Sequence, residues 1–355
     1  MNGLHRYPPT SDHSLQVVSA ADELLLAWAQ EQPPARRGTI VAHDRFGVLA
    51  LGAPAPTHFL ATFHSQEEAL RRNASADRYP QVYSLFDTLP DVDRALMRIP
   101  KSVDLFEVYL SRLAAQVTGE LTVAAGFMTR HFTPRWLEVA NRYAAAVTQT
   151  RARKKARLLL MQEFRPAGPQ VPWSEVSYAG KTYRQYHGVF SAKHIDYATQ
   201  FLLGEWDSFA ATLPPPAHIL DVACGNGVIG DQLLGRYPDA RLTATDDSRL
   251  AVESARLNLP TGRSRVLYDH TLGEIGDGSV DLVVTNPPFH FGYENNLDVS
   301  LGLFQQARRV LRVGGQLIVV ANRHLNYRTH LERWYGVDTV RQNEKYVIYR
   351  CDRRR

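Results

Sequence analysis

Four consecutive residues, Asn286-Pro287-Pro288-Phe289, are the most chemically specific stretch of the chain. They follow Asp281-Leu282-Val283-Val284-Thr285, whose apolar, β-branched content predicts a strand, so the loop stands at a strand's carboxyl end. An exocyclic amine on guanine, adenine or an amide is a poor nucleophile because its lone pair is delocalised into the attached π system. The Asn286 side-chain carbonyl and the Pro287 backbone carbonyl can accept both amine hydrogens. This turns the lone pair outward and favours the charge that develops on nitrogen. Two prolines fix φ and stiffen the loop, so its acceptors need little reordering. Phe289 offers a face on which an extruded base can stack. Pro-Pro alone commonly caps a strand; all four residues in this place do not.

The second stretch is Asp221-Val222-Ala223-Cys224-Gly225-Asn226-Gly227, which follows an apolar run and opens an amphipathic segment. Gly225 and Gly227 are expected where a ligand approaches the backbone closely. Gly225-Asn226-Gly227-Val228-Ile229-Gly230 also has the G-x-G-x-x-G spacing of dinucleotide enzymes, and Asp246 stands about 20 residues on. The motif alone does not choose between NAD and S-adenosylmethionine. Asp221 puts a carboxylate just before the turn, suited to a methionyl ammonium group and unwelcome to a pyrophosphate. Asp246 suits the ribose hydroxyls of either ligand. A hydride-transfer enzyme has no use for Asn-Pro-Pro-Phe, so S-adenosylmethionine is the expected cofactor. Asp269, ending a third predicted strand, either accepts from the adenine amino group or simply faces solvent. Cys224 reads as a small packed residue, with no neighbour in the local sequence to make its thiolate.

These groups need a scaffold that brings strand ends together. Strands are expected at His218 to Ala223, Leu242 to Ala244, Val266 to Tyr268, Val280 to Val284 and Gln316 to Val320. Helices are expected at Asn226 to Arg236, Ser248 to Leu259 and about Val299 to Leu311. Their alternation predicts a parallel doubly wound α/β sheet. The first half has a fainter version: Thr39 to Asp44 as a strand ending in an acid, Ile99-Pro100-Lys101 in place of Asn-Pro-Pro, and Gly119 to Ala125 echoing Gly315 to Ala321. That order of landmarks suggests a duplicated domain whose first copy lost its glycines. Between Pro169 and Lys193, Pro172, Gly180, Gly188 and several tyrosines interrupt any helical period, so a junction is placed at residue 175.

With these motifs in hand, the second half resembles Rossmann-like class I methyltransferases. The whole chain resembles the bacterial ribosomal RNA guanine-N2 methyltransferases of the large-subunit (RlmG) type, related to the small-subunit (RsmC) type. Further signals are Asp44-Arg45-Phe46-Gly47, Lys154-Lys155-Ala156-Arg157-Leu158, Val189-Phe190-Ser191 with Asp196, and Ala321-Asn322-Arg323-His324. The resemblance implies two tandem Rossmann-like domains, a degenerate one over residues 1–175 and a catalytic one over 176–355. It implies that the first domain supports folding or holds RNA, and that 23S ribosomal RNA is the partner. It also implies that Phe190 and Asp196 border the cofactor pocket, although from sequence alone Phe190 reads as core. Ala223 departs from the glycine many methyltransferases carry, and the doubled acid Asp246-Asp247 leaves two candidates for the ribose, of which Asp246 ends the strand.

At 355 residues the length suits two domains, and the formal charge of +5 is compatible with a polyanionic partner. The basic run Arg151 to Arg157, with Lys154, Lys155 and Arg157, reads as a solvated edge or as a track for phosphates; the resemblance favours phosphates. Arg323 and His324, after a strand, are candidates to touch the substrate nucleotide, His324 equally a packing residue. No apolar run approaches the roughly 18 residues of a membrane span. The first residues lack the order of a signal peptide, and the two cysteines fit neither a zinc site nor a disulfide framework. A cytosolic protein with reduced thiols, no metal and no obligate protein partner is expected. The rivals are an adenine-N6 or protein-glutamine methyltransferase, a dinucleotide-dependent oxidoreductase, a non-catalytic RNA-binding protein, and the same guanine chemistry on 16S RNA.

Overall fold

A computed structural model of the chain describes residues 3–12, 14–116, 119–165, 173–288, 290–291, 294–295 and 297–353. The chain divides into two compact units, Met1–Pro172 and Trp173–Arg355. Phe289 and the terminal Arg354 and Arg355 lie outside the described residues.

In the first unit β1 (Thr39–Ala42), β2 (Thr57–Ala61), β3 (Gln81–Ser84), β4 (Arg94–Arg98), β5 (Thr122–Met128), β6 (Ala144–Gln149) and β7 (Ala156–Phe164) form one sheet. Its order is β3-β2-β1-β4-β5-β7-β6. The second unit opens with a hairpin, β8 (Trp173–Tyr178) and β9 (Lys181–Tyr186), made from the tyrosine-rich stretch. Then come β10 (His218–Val222), β11 (Arg241–Asp246), β12 (Ser264–Tyr268), β13 (Val280–Thr285), the short pair β14 (His290–Phe291) and β15 (Glu294–Asn295), β16 (Leu311–Asn322), β17 (Tyr335–Gln342) and β18 (Tyr346–Arg353). The second large sheet runs β12-β11-β10-β13-β16-β18-β17, the same pattern of crossovers as the first. Each of the two sheets is Rossmann-like: five parallel strands, then one reversed strand (β7 or β18) and an edge strand (β6 or β17) that pairs antiparallel with it and so runs with the five.

Strands buried on both faces explain the near-continuous apolar runs. Alternate residues of one strand serve opposite layers. Ile219, Leu282, Val284, Ile318 and Val320 pack with Leu202, Trp206 and Leu233 on one face. Leu220, Val283, Leu317 and Val319 pack with Phe304 and Tyr327 on the other. Helix ends follow local chemistry. Ser248 caps Arg249–Asn258, accepting from Ala251 N, and Pro260 follows the end. Asp196 caps Tyr197–Ala210.

The first turns of the two units match in backbone, with one correction to the expected alignment. In the second unit Ala223 (φ 59°) begins the turn and Gly227 (φ 83°) caps the helix Val228–Arg236. In the first, His43 (φ 52°) and Gly47 (φ 78°) do the same for Val48–Gly52. Asp44 therefore stands opposite Cys224, not Asp221: it follows the strand instead of ending it. Its carboxylate accepts from the backbone N–H of Val48, Leu49 and Ala50 and so fills the helix start itself.

Candidate active site

The second chain path runs outward from β10 to β11 and β12, then returns to place β13 on the other side of β10. The crevice at the carboxyl ends of β10 and β13 is thus the topological switch point, where ligands of such sheets bind. Val222 pairs in register with Thr285, whose Oγ1 donates to Val222 O at 2.8 Å, fixing the cofactor turn beside Asn286.

The glycines of the turn do different work. A Cβ on Gly225 (φ 56°) would meet nothing within 4 Å, so this residue opens onto free space. A Cβ on Gly227 would come within 3.1 Å of Leu259 Cγ, so its smallness serves helix packing as well as the left-handed cap. Gly230 lies over β11, where a Cβ would stand 2.6 Å from Leu242 Cδ2.

Three carboxylates line this edge. Asp221 is fully buried; Oδ2 accepts from Gly230 N at 2.9 Å, and Oδ1 has no partner among the described residues. Burial pushes its pKa up to about 7, with the Gly230 N–H opposing and nearby Asp246 adding to the rise. Asp246 bridges the turn to β11, accepting from Gly225 N at 2.9 Å and Ser248 N at 2.8 Å, and burial pushes it up to about 6. Asp269 is 4% exposed and accepts from Thr271 N at 2.7 Å within its own loop. Cys224 is buried, and burial with the adjacent Asp246 and Asp221 raises its thiol well above the usual range, which removes the thiolate. An open approach at Gly225, a carboxylate at the end of β11 and an unpartnered buried carboxylate oxygen fit a nucleoside that carries a cationic group.

Asn286 is held from behind. Its Nδ2 donates to Asp196 Oδ2 at 2.9 Å and to Thr199 Oγ1 at 3.1 Å. Both amide hydrogens are thereby used, and the side-chain oxygen is the end left to accept. Asp196 thus touches Asn286, a contact the sequence could not announce across 90 residues. Pro288 O accepts from Ser300 Oγ, which itself accepts from Tyr327 OH at 2.9 Å, pinning the loop. Phe190, read as core from sequence alone, is 66% exposed: it follows the Gly188 turn, where no strand or helix buries it.

Sequence reasoning missed the β8–β9 hairpin as a support. Gln185 Oε1 accepts from Asn226 Nδ2 at 2.9 Å, and Asn258 Oδ1 accepts from Arg184 N at 2.9 Å. The hairpin thereby braces the cofactor turn from outside. Arg323 and His324 are exposed in the turn after β16, and Arg323 Nη1 donates to Asn343 O at 3.1 Å. In the first unit Lys154 (φ 49°) and Lys155 (φ 61°) form the exposed tip of the β6–β7 hairpin, with Lys154 Nζ 2.8 Å from Glu23. Arg157, half-buried, is the second residue of β7 behind them. A concavity lined by His218, Arg241, Thr243, Arg263 and Ser279 lies at the opposite, amino edge of the second sheet, away from these groups.

Residues 2–165 match the family model described as the RLMG N-terminal domain, and residues 181–350 match the methyltransferase small domain. A protein of Streptomyces coelicolor named ribosomal RNA large subunit methyltransferase G is 33% identical, with 98% of this chain and 97% of that protein covered. One of the same name from Aeromonas salmonicida is 31% identical, with 99% and 97% covered. The solved structure of the T. thermophilus 16S rRNA N2 methyltransferase RsmC, in complex with AdoMet and guanosine, superposes with a TM-score of 0.79 at 20% identity, covering 95% of this chain and 92% of that one.

Proposed function

Because the chain belongs to the ribosomal RNA large subunit methyltransferase G family, we propose that it methylates N2 of a guanine in 23S ribosomal RNA. It is an S-adenosylmethionine-dependent methyltransferase, and that cofactor supplies a methyl group on a sulfonium, from which a neutral thioether leaves readily. In this reading Asp246 takes the ribose, Gly225 and Gly227 shape the turn, Asp269 serves the adenine amino group, and Phe190 covers the pocket. Asp221 faces the methionyl ammonium through its unpartnered oxygen. We assign Asp196 to Asn286 rather than to the cofactor.

The observation that carries the proposal is the doubly held Asn286 amide. With its NH2 committed to Asp196 and Thr199, Asn286 presents a carbonyl oxygen, which accepts an amine hydrogen and repels a keto oxygen. The Asp196 carboxylate polarises that amide, strengthening the acceptor as positive charge builds on the amine nitrogen. Pro287 O takes the second hydrogen, and the proton is lost to solvent after transfer. Phe289, Arg323 and His324 meet the target nucleotide, while Lys154, Lys155 and Arg157 of the first unit contact phosphates. The cytoplasm, where ribosomal RNA is modified, is the proposed location.

Incubation with labelled S-adenosylmethionine and separated 16S and 23S RNA, followed by nucleoside analysis, tests this. The expected product is N2-methylguanosine in 23S RNA, reduced about 100- to 1,000-fold in kcat by Asn286→Ala, on the scale of losing one charge-stabilising group. Label only in N6-methyladenosine, in 16S RNA or in protein would refute the assignment.

A further inference from the structure

Beyond Asn286 the carboxyl edge continues to a face that the methyl-transfer chemistry does not use. β16 ends at Asn322 and β18 begins opposite it at Tyr346, so the loops flanking both open on that edge. The helix Tyr197–Ala210 starts near Asn286 as well: its cap Asp196 holds the Asn286 amide, and Tyr197 is the next residue.

Tyr197 is 55% exposed. The His194 ring backs it, with 4.5 Å between centroids and a 36° tilt. Lys345 Nζ stands 6.0 Å from the Tyr197 centroid, within cation–π range. Lys345 is set by its backbone, whose carbonyl accepts from Arg323 N at 3.0 Å. Lys193, Arg323 and Lys345 are all exposed, with the acid Glu344 on the same β17–β18 turn. Packing gives no reason for a large ring to sit in water beside a lysine. A flat π-face for a base beside ammonium groups for its phosphates is how single-stranded nucleic acid is gripped.

We propose that Tyr197, backed by His194 and Lys345, is a stacking subsite for an RNA nucleotide adjoining the one whose amine Asn286 holds. This rests on the reading of the second unit as an RNA guanine methyltransferase and extends it to how the neighbouring base is fixed. Cations around an open ring favour a nucleotide over a protein segment, which would call for an apolar groove. The subsite is separate from the cofactor turn, which lies on the β10–β11 side of the same edge.

The test uses the full chain and an unmodified 23S transcript. Tyr197→Ala should raise KM for RNA about tenfold, on the scale of one lost base stack, with S-adenosylmethionine affinity, melting temperature and kcat held within about twofold. Tyr197→Phe, which keeps the stacking face, should restore KM. Lys345→Gln should lower the slope of log KM against log salt by about one. An unchanged KM in Tyr197→Ala, or a loss shared equally by KM, kcat and cofactor affinity, overturns the subsite alone. A wild-type chain that methylates only protein, or no RNA, overturns the functional reading and the subsite with it.

Discussion

Asn286 shows how a side-chain carbonyl is aimed: the amide is fixed by what its nitrogen does, and Asp196 and Thr199 supply both acceptors. Asp196 also caps a helix, so the two duties can be separated by substitution. Asp196→Ser keeps an N-cap while its side chain is too short to hold the Asn286 amide. It should lower kcat by about ten- to 100-fold, the order of one charge-assisted hydrogen bond, with cofactor affinity and stability retained. A drop in stability with kcat intact would mean that Asp196 acts only as a cap. Asp221 carries a second consequence. Its carboxyl, raised to about 7, is partly protonated at neutral pH, and the ammonium proposed to bind beside it would favour the charged form. Cofactor binding should therefore release protons and tighten as pH rises between about 5.5 and 7.5. Calorimetric titration of the wild type and Asp221→Asn over that range measures this; the step near neutrality should vanish in the variant.

The turn and its bracing hairpin belong to the next scale. Gly225 and Gly230 read alike in the sequence, yet one faces open space and the other presses on Leu242. Gly230→Ala should cost about 1–3 kcal/mol of stability in the second unit through overpacking. Gly225→Ala, at φ 56°, costs about 1 kcal/mol of backbone strain but puts a methyl where the ligand approaches. It should weaken S-adenosylmethionine binding far more than it lowers melting temperature, as thermal melts with and without cofactor would show. The elements that position these residues were legible because buried parallel strands write themselves as apolar runs between turn signals: each strand and helix expected in the second half is present, with bounds moved by a few residues. Contacts between distant segments were not. Nothing local tells that Thr199 meets Asn286, that Gln185 braces Asn226, or that Phe190 lies bare. Asp44 was misaligned because an acid near a strand end looks the same one turn later; only the left-handed residues at His43 and Gly47 set the register.

Seen whole, the chain carries one sheet pattern twice, with chemistry retained in the second copy and different residues at the equivalent positions of the first. Where Asn286 follows β13, Ile99 follows β4, and no amide is offered there. The Asp44 carboxylate, bound to three backbone N–H groups, gives the first unit a built-in acceptor at the helix start, although burial raises its carboxyl to about 6. In binding-linkage terms that acceptor is present at a fixed effective concentration, so the helix start needs no diffusible anion to fill it. The second unit's stability is a function of cofactor supply. At about a hundredfold excess over Kd, S-adenosylmethionine should add about 2.7 kcal/mol and raise the melting of the second unit by about 5–10 °C. Scanning calorimetry should show that transition moving while the first stays put; a parallel shift of both would mean that the first unit also binds the cofactor. With only the second transition moving, one inward-turned acid would have left half of the molecule indifferent to the metabolite that the other half depends on.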